Sequence, residues 1–102
     1  MSILHTVNKS PFERNNLDSC LGHAQPGDAI LLIEDAVYAA MGGTNIAGKI
    51  ADAAKTFRFH VLGPDLKARG CDPANVVAGV TVIGYDGFVD LAAQNKAVNA
   101  WL

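Results

Sequence analysis

Charge is scarce in this chain: 18% of its 102 residues are Asp, Glu, Lys or Arg, against about 25% in an average soluble domain. The formal net charge is −2, so the electrostatic footprint that nucleic-acid backbones demand is missing, and direct nucleic-acid binding by this chain is not expected. No run approaches the roughly twenty apolar residues of a membrane span. The opening Met1-Ser2-Ile3-Leu4-His5 lacks the basic start of a signal peptide, and a cytoplasmic protein without membrane association is expected. Cysteine is limited to Cys20 and Cys71. Without CxxC spacing they define neither a zinc site nor a disulfide framework, and in a reducing compartment both read as free thiols. The phosphate-cradling patterns GxGxxG and GxxxxGKS/T do not occur, which disfavours a lone nucleotide-binding domain. His5, His23 and His60 fall on different segments with no HxxxH spacing, so no metal is expected.

What the chain does have is apolar residue, half of the total, much of it alanine. One domain of this length buries roughly two-thirds of its unfolded surface. With so few charges, apolar surface is left over for subunit contacts. The most telling stretch is Ile30-Leu31-Leu32-Ile33-Glu34-Asp35. Its four consecutive large aliphatics need cover on both faces, as in a central strand of a parallel sheet. Asp35 stands where it could cap a helix beginning at Ala36, and Gly42-Gly43 stops that helix.

Around this unit the chain alternates. Residues 2–7 read as a first strand. Asn15 or Asn16 can cap a helix carrying Leu17, Cys20, Leu21 and Ala24 along one side. Thr44 can cap a second helix with Ile46, Ile50 and Ala53 or Ala54 inward. Residues 57–62 form a strand, Gly63-Pro64-Asp65 opens a short helical turn broken by Gly70, and residues 76–83 contain another strand in their second half. A last helix is predicted over residues 86–98, with Phe88, Leu91, Ala92 and Asn95 on one side. The fold class is therefore α/β, one small three-layer domain over residues 1–102, with a mostly parallel sheet of four or five strands and helices on both faces.

Chemistry is sought at the carboxyl edge of such a sheet. Glu34 and Asp35 lie there as a possible acid–base pair, although an aspartate in that place is more often a helix cap. Cys20 lies in the first turns of a helix, where the macrodipole favours a thiolate, and Lys9 at the end of the first strand would add a positive charge. Its spacing with Leu17, Leu21 and Ala24 also places it on an apolar side, where free cysteines are usually buried. Cys71 sits in the turn Gly70-Cys71-Asp72-Pro73. It should be more exposed, beside an aspartate that works against its thiolate.

Leu4-His5-Thr6 with Lys9-Ser10-Pro11, then Gly27-Asp28 and Leu31-Leu32-Ile33-Glu34-Asp35-Ala36-Val37-Tyr38-Ala39-Ala40, resemble the DsrH/TusB family. Asp65-Leu66-Lys67-Ala68-Arg69-Gly70, Tyr85-Asp86-Gly87-Phe88-Val89-Asp90-Leu91 and Trp101 continue the match from end to end. The resemblance implies a small α/β subunit of a heterohexamer, built with DsrE/TusD-like and DsrF/TusC-like subunits and working with a DsrC/TusE-like sulfur carrier protein. Such complexes pass persulfide sulfur between cysteines, toward sulfur oxidation in the DsrEFH form and toward 2-thiouridine at the tRNA wobble position in the TusBCD form. No cofactor is implied. DsrH-type members resemble this chain in having a cysteine at the position of Cys20. That directs the expectation to the sulfur-oxidation branch with Cys20 as catalytic thiol, alongside the alternatives of the thiolation branch and of a purely structural subunit.

Overall fold

A computed structural model describes residues 2–102. Its centre is a five-stranded, all-parallel sheet made of β1 (Ile3–Val7), β2 (Ala29–Leu32), β3 (Arg58–Leu62), β4 (Val80–Ile83) and β5 (Ala97–Trp101), in the order β4-β3-β2-β1-β5. The aliphatic run read as a central strand is the middle one. Ala29, Ile30, Leu31 and Leu32 are all fully buried, because β1 and β3 pair with both edges of β2 and apolar layers cover both its faces.

Strand order explains how the layers are distributed. From β1 through β4 the chain steps across the sheet in one direction. Right-handed crossovers then put α1 (Asn16–His23), α2 (Ala47–Ala53) and α3 (Gly63–Ala68) on one face. There Val7, Leu17, Cys20, Ile30, Ile50, Phe59, Val61 and Leu66 form the larger core cluster. The step from β4 to β5 runs back across the whole sheet, and the same handedness sends α4 (Tyr85–Gln94) over the opposite face. Leu91 of α4 there closes a smaller cluster with Leu4, Ala29, Leu31 and Leu62. A Cβ at Gly87 would lie 2.8 Å from that of Ile83, so only glycine lets α4 approach β4 this closely.

Three local expectations are corrected. The segment after β2 is a 3-10 helix over Glu34–Ala40 rather than an α-helix capped by Asp35. Ile33 holds the cap position without a side-chain bond, and the Asp35 carboxylate is engaged by Arg69 at 2.9 Å. Thr44 does not cap α2, which begins three residues later; its hydroxyl donates to the Met41 carbonyl. The last helix ends at Gln94, not at residue 98, and Ala97–Trp101 is a strand instead. Asn95 marks the break: its Nδ2 donates to the Leu91 carbonyl at 2.6 Å, and its Oδ1 accepts from Ser2 Oγ and from Arg58. The free edge of β1 then offers a full ladder from Ile3↔Ala97 to Val7↔Trp101, which outweighs the helix propensity of an alanine-rich tail.

Both edge strands, β4 and β5, are largely solvent-exposed. Val82, Tyr85, Val89 and Val98 are large apolar residues left exposed around them, which accords with the shortage of charge. No helix of the described residues is long and apolar enough to cross a membrane.

Candidate functional site

The carboxyl edge of the sheet is built from the ends of β1, β2 and β3. Glu34, two residues past the end of β2, has φ +49°, in the left-handed region that favours glycine. Its N–H donates to Asp65 Oδ2 at 2.7 Å, fixing the end of β2 to the first turn of α3. Arg69, near the end of α3, donates from Nε to Asp35 and reaches the Asp65 carbonyl at 3.5 Å. The Arg69 pKa is raised, chiefly by that bond to Asp35. Glu34 and Asp35 are both exposed, and one of them is committed to an arginine. The pair thus ties β2 to α3 and lacks the burial that would adapt two carboxylates to separate acid and base roles.

Cys20 is fully buried in the larger core cluster. Burial first, and the Asp28 carboxylate second, push its thiol up from 9.0 to about 12. That rise penalises the thiolate by about 4 kcal/mol, against about 0.3–1 kcal/mol from a helix N-terminus. The helix start therefore loses to desolvation, and the expected thiolate-favouring environment is not what surrounds Cys20. The charge acting on it is that of Asp28, not of Lys9, which is exposed.

Cys71 is half-buried just beyond α3, with Sγ 3.9 Å from the Arg69 carbonyl. Together with Pro64, Lys67 and Pro73 it lines an open groove of about 700 Å³ along α3. The groove needs the turn after α3 to fold back beside the helix's start, a juxtaposition without a local sequence signal. Asp72, the neighbour of Cys71, uses its carboxylate to cap the short turn Pro73–Asn75 by accepting from the Ala74 N–H.

The three histidines stay apart, and no group of potential metal ligands occurs among the described residues. His23 donates from Nδ1 to the Ser19 carbonyl, and His60 donates from Nδ1 to the Arg58 carbonyl. Burial lowers the His60 pKa. His5 is different. It is buried and bonded at both ring nitrogens, to Asp28 at 2.9 Å and to Trp101 at 3.1 Å. In the sequence Asp28 belongs to no candidate site. A carboxylate preceding a fully apolar strand was the one available signal of a buried acid.

The architecture is that of a small parallel α/β domain with a sealed thiol on one face, a half-open thiol in a groove, and apolar residues exposed at its edges. Solved structures share the fold: the ychN protein from E. coli superposes with a TM-score of 0.82 at 16% identity, covering 98% of each chain. A protein of unknown function, MTH1491 from Methanobacterium thermoautotrophicum, gives 0.75 at 15% identity, covering 97% of each chain. The family model described as DsrH like protein matches residues 9–98, and the chain belongs to this family. Among its curated relatives are Protein TusB of Erwinia tasmaniensis, 37% identical, and Protein TusB of Pectobacterium carotovorum, 35% identical. Each aligns over 97% of this chain and the whole of the relative.

Proposed function

We propose that this chain is the TusB-type subunit of a cytoplasmic sulfur-relay complex that serves 2-thiolation of the tRNA wobble uridine. TusC-like and TusD-like subunits are its partners, and a TusE-like protein exchanges sulfur with the assembled complex. The relatives named TusB favour this branch over sulfur oxidation, the branch to which the presence of Cys20 had pointed. Within the complex the chain has an architectural role, and sulfur-accepting chemistry belongs to a partner subunit. The observation that carries this reading is the burial of Cys20, whose thiol has no exposed surface and is pushed up to about 12. Persulfide exchange requires an accessible thiolate, so carriage by Cys20 would require α1 to open.

The test is sulfur transfer by the reconstituted complex to its carrier, with wobble 2-thiouridine as the readout in cells. Cys20→Ser is expected to destabilise the chain by about 1–3 kcal/mol, because a hydroxyl replaces a thiol in an apolar cluster, while the assembled complex transfers sulfur at the wild-type rate. Cys71→Ser is expected to leave both stability and transfer unchanged. Loss of transfer by an intact Cys20→Ser complex would make Cys20 the carrier. The same loss for Cys71→Ser would move the chemistry to the groove along α3. Unchanged wobble thiolation in cells lacking this chain would refute the thiolation branch.

A further inference from the structure

The last strand is fastened by a three-residue chain that runs through the core. Trp101, at the end of β5, donates its indole Nε1–H to His5 Nδ1 at 3.1 Å. An indole nitrogen can only donate, so Nδ1 must be the unprotonated acceptor and the ring proton resides on Nε2. That Nε2–H points at Asp28 Oδ2, 2.9 Å away. The Asp28 carboxylate is further held by the Ile3 and Gln25 N–H groups, each at 3.0 Å. On its other side the Trp101 ring lies against His23 of α1, with centroids 5.4 Å apart. The indole thus ties β5 at once to β1 and to α1, while Trp101 packs against the core cluster that contains Cys20.

We propose that this arrangement is a pH-sensitive clasp on β5, opened when His5 takes up a proton at Nδ1. The proton from solvent occupies the lone pair that the indole N–H uses. The resulting imidazolium carries N–H groups on both nitrogens; one keeps its bond to the Asp28 carboxylate and the other meets the indole N–H head on. An attractive contact becomes a donor–donor repulsion, and the indole must leave. The groups around the ring agree with this outcome. Asp28, from the start of β2, is an anion that stabilises the imidazolium. Cys20, from α1, is a neutral thiol. Arg58 of β3 is turned toward the Gly27 carbonyl and Asn95. His23 lies beyond the indole and bonds to its own helix. Release removes the side-chain anchor and leaves β5 held chiefly by its ladder to β1, since no strand among the described residues pairs with its outer edge. The inference stands on this geometry and is independent of the sulfur-relay reading.

The chain has a single tryptophan, so its indole N–H gives one NMR signal that can be followed beside the ring signals of His5 as the pH is lowered on the full chain. Solvent exchange of the indole proton, corrected for the intrinsic pH dependence of exchange, should rise roughly tenfold on losing its acceptor. The signal should shift in one step that coincides with the titration of His5. His23→Gln should leave the step in place. His5→Gln, which can still donate to Asp28 but cannot titrate, should abolish it while far-UV circular dichroism stays native. The clasp is refuted if the indole signal is unmoved while His5 titrates, if the step disappears in His23→Gln, or if His5 takes up no proton before the whole chain unfolds. Should His5→Gln not fold, the wild-type and His23→Gln titrations decide by themselves.

Discussion

Asp28→Ala is expected to destabilise the fold by about 3–5 kcal/mol, because three donors lose a charged acceptor and each loss costs about 1–3 kcal/mol. Asp28 is 4% exposed and accepts from the Ile3 N–H, the Gln25 N–H and the His5 ring. Alanine removes all three acceptor positions and leaves the His5 Nε2–H without a partner inside the core. A 102-residue domain has about 5–15 kcal/mol in total, so the variant should be close to unfolded at physiological temperature. A denaturant midpoint that corresponds to less than about 1 kcal/mol of loss would show that Asp28 is not the structural anchor that its bonds describe.

The same residue sets a pH dependence. Burial works to raise the Asp28 pKa, yet the bonds from Gln25, His5 and Ile3 outweigh it and hold the carboxyl below its ordinary 3.8. A depressed folded-state pKa means that the unfolded chain binds the proton more readily. The stability contributed by Asp28 is therefore complete above the unfolded value and is lost as pH falls through the folded one. Wild type should lose stability from about pH 5 downward, and Asp28→Asn should start lower but fall less steeply there. An acid limb of equal slope in both proteins would assign the acid sensitivity to other carboxylates.

Ile30→Ala is expected to cost about 2–5 kcal/mol, the range for truncating a buried Ile or Leu to alanine. Ile30 is fully buried on the middle strand and packs in the larger cluster with Val7, Phe59 and Val61. Paired strands on both sides leave little freedom for the site to collapse onto the cavity. For a domain of this size each kilocalorie moves the melting temperature by about 4–8 °C, so a drop of roughly 10 °C or more is the expected result. Val98→Ala, on exposed β5, should move stability by less than about 0.5 kcal/mol. A melting temperature for Ile30→Ala within 3 °C of wild type would contradict the placement of β2 at the centre of the sheet.

The sequence by itself determined what depends on neighbouring residues. Ile30-Leu31-Leu32 has no polar face and must be covered on both sides, so it could only be an interior strand. Pro64 after Gly63 opens α3 and Gly70, at φ +69°, closes it; both effects are local backbone geometry. The family, too, could be read from the order and spacing of short motifs. Tertiary structure decided what depends on distant partners. Ala97–Trp101 is a strand only because the edge of β1 was left open 94 residues earlier, and no local pattern distinguishes it from the helix before it. Cys20 stands near a helix start, which favours a thiolate by itself, but the packing of that side of α1 against the sheet and the approach of Asp28 reverse the outcome, because desolvation exceeds the dipole severalfold. His5, Asp28 and Trp101 each fall in a short family stretch, but no local pattern joins them across separations of 23 and 96 residues. Their chemistry exists only once the parallel sheet puts β1 between β2 and β5, where the indole N–H, which can only donate, fixes which ring nitrogen holds the proton.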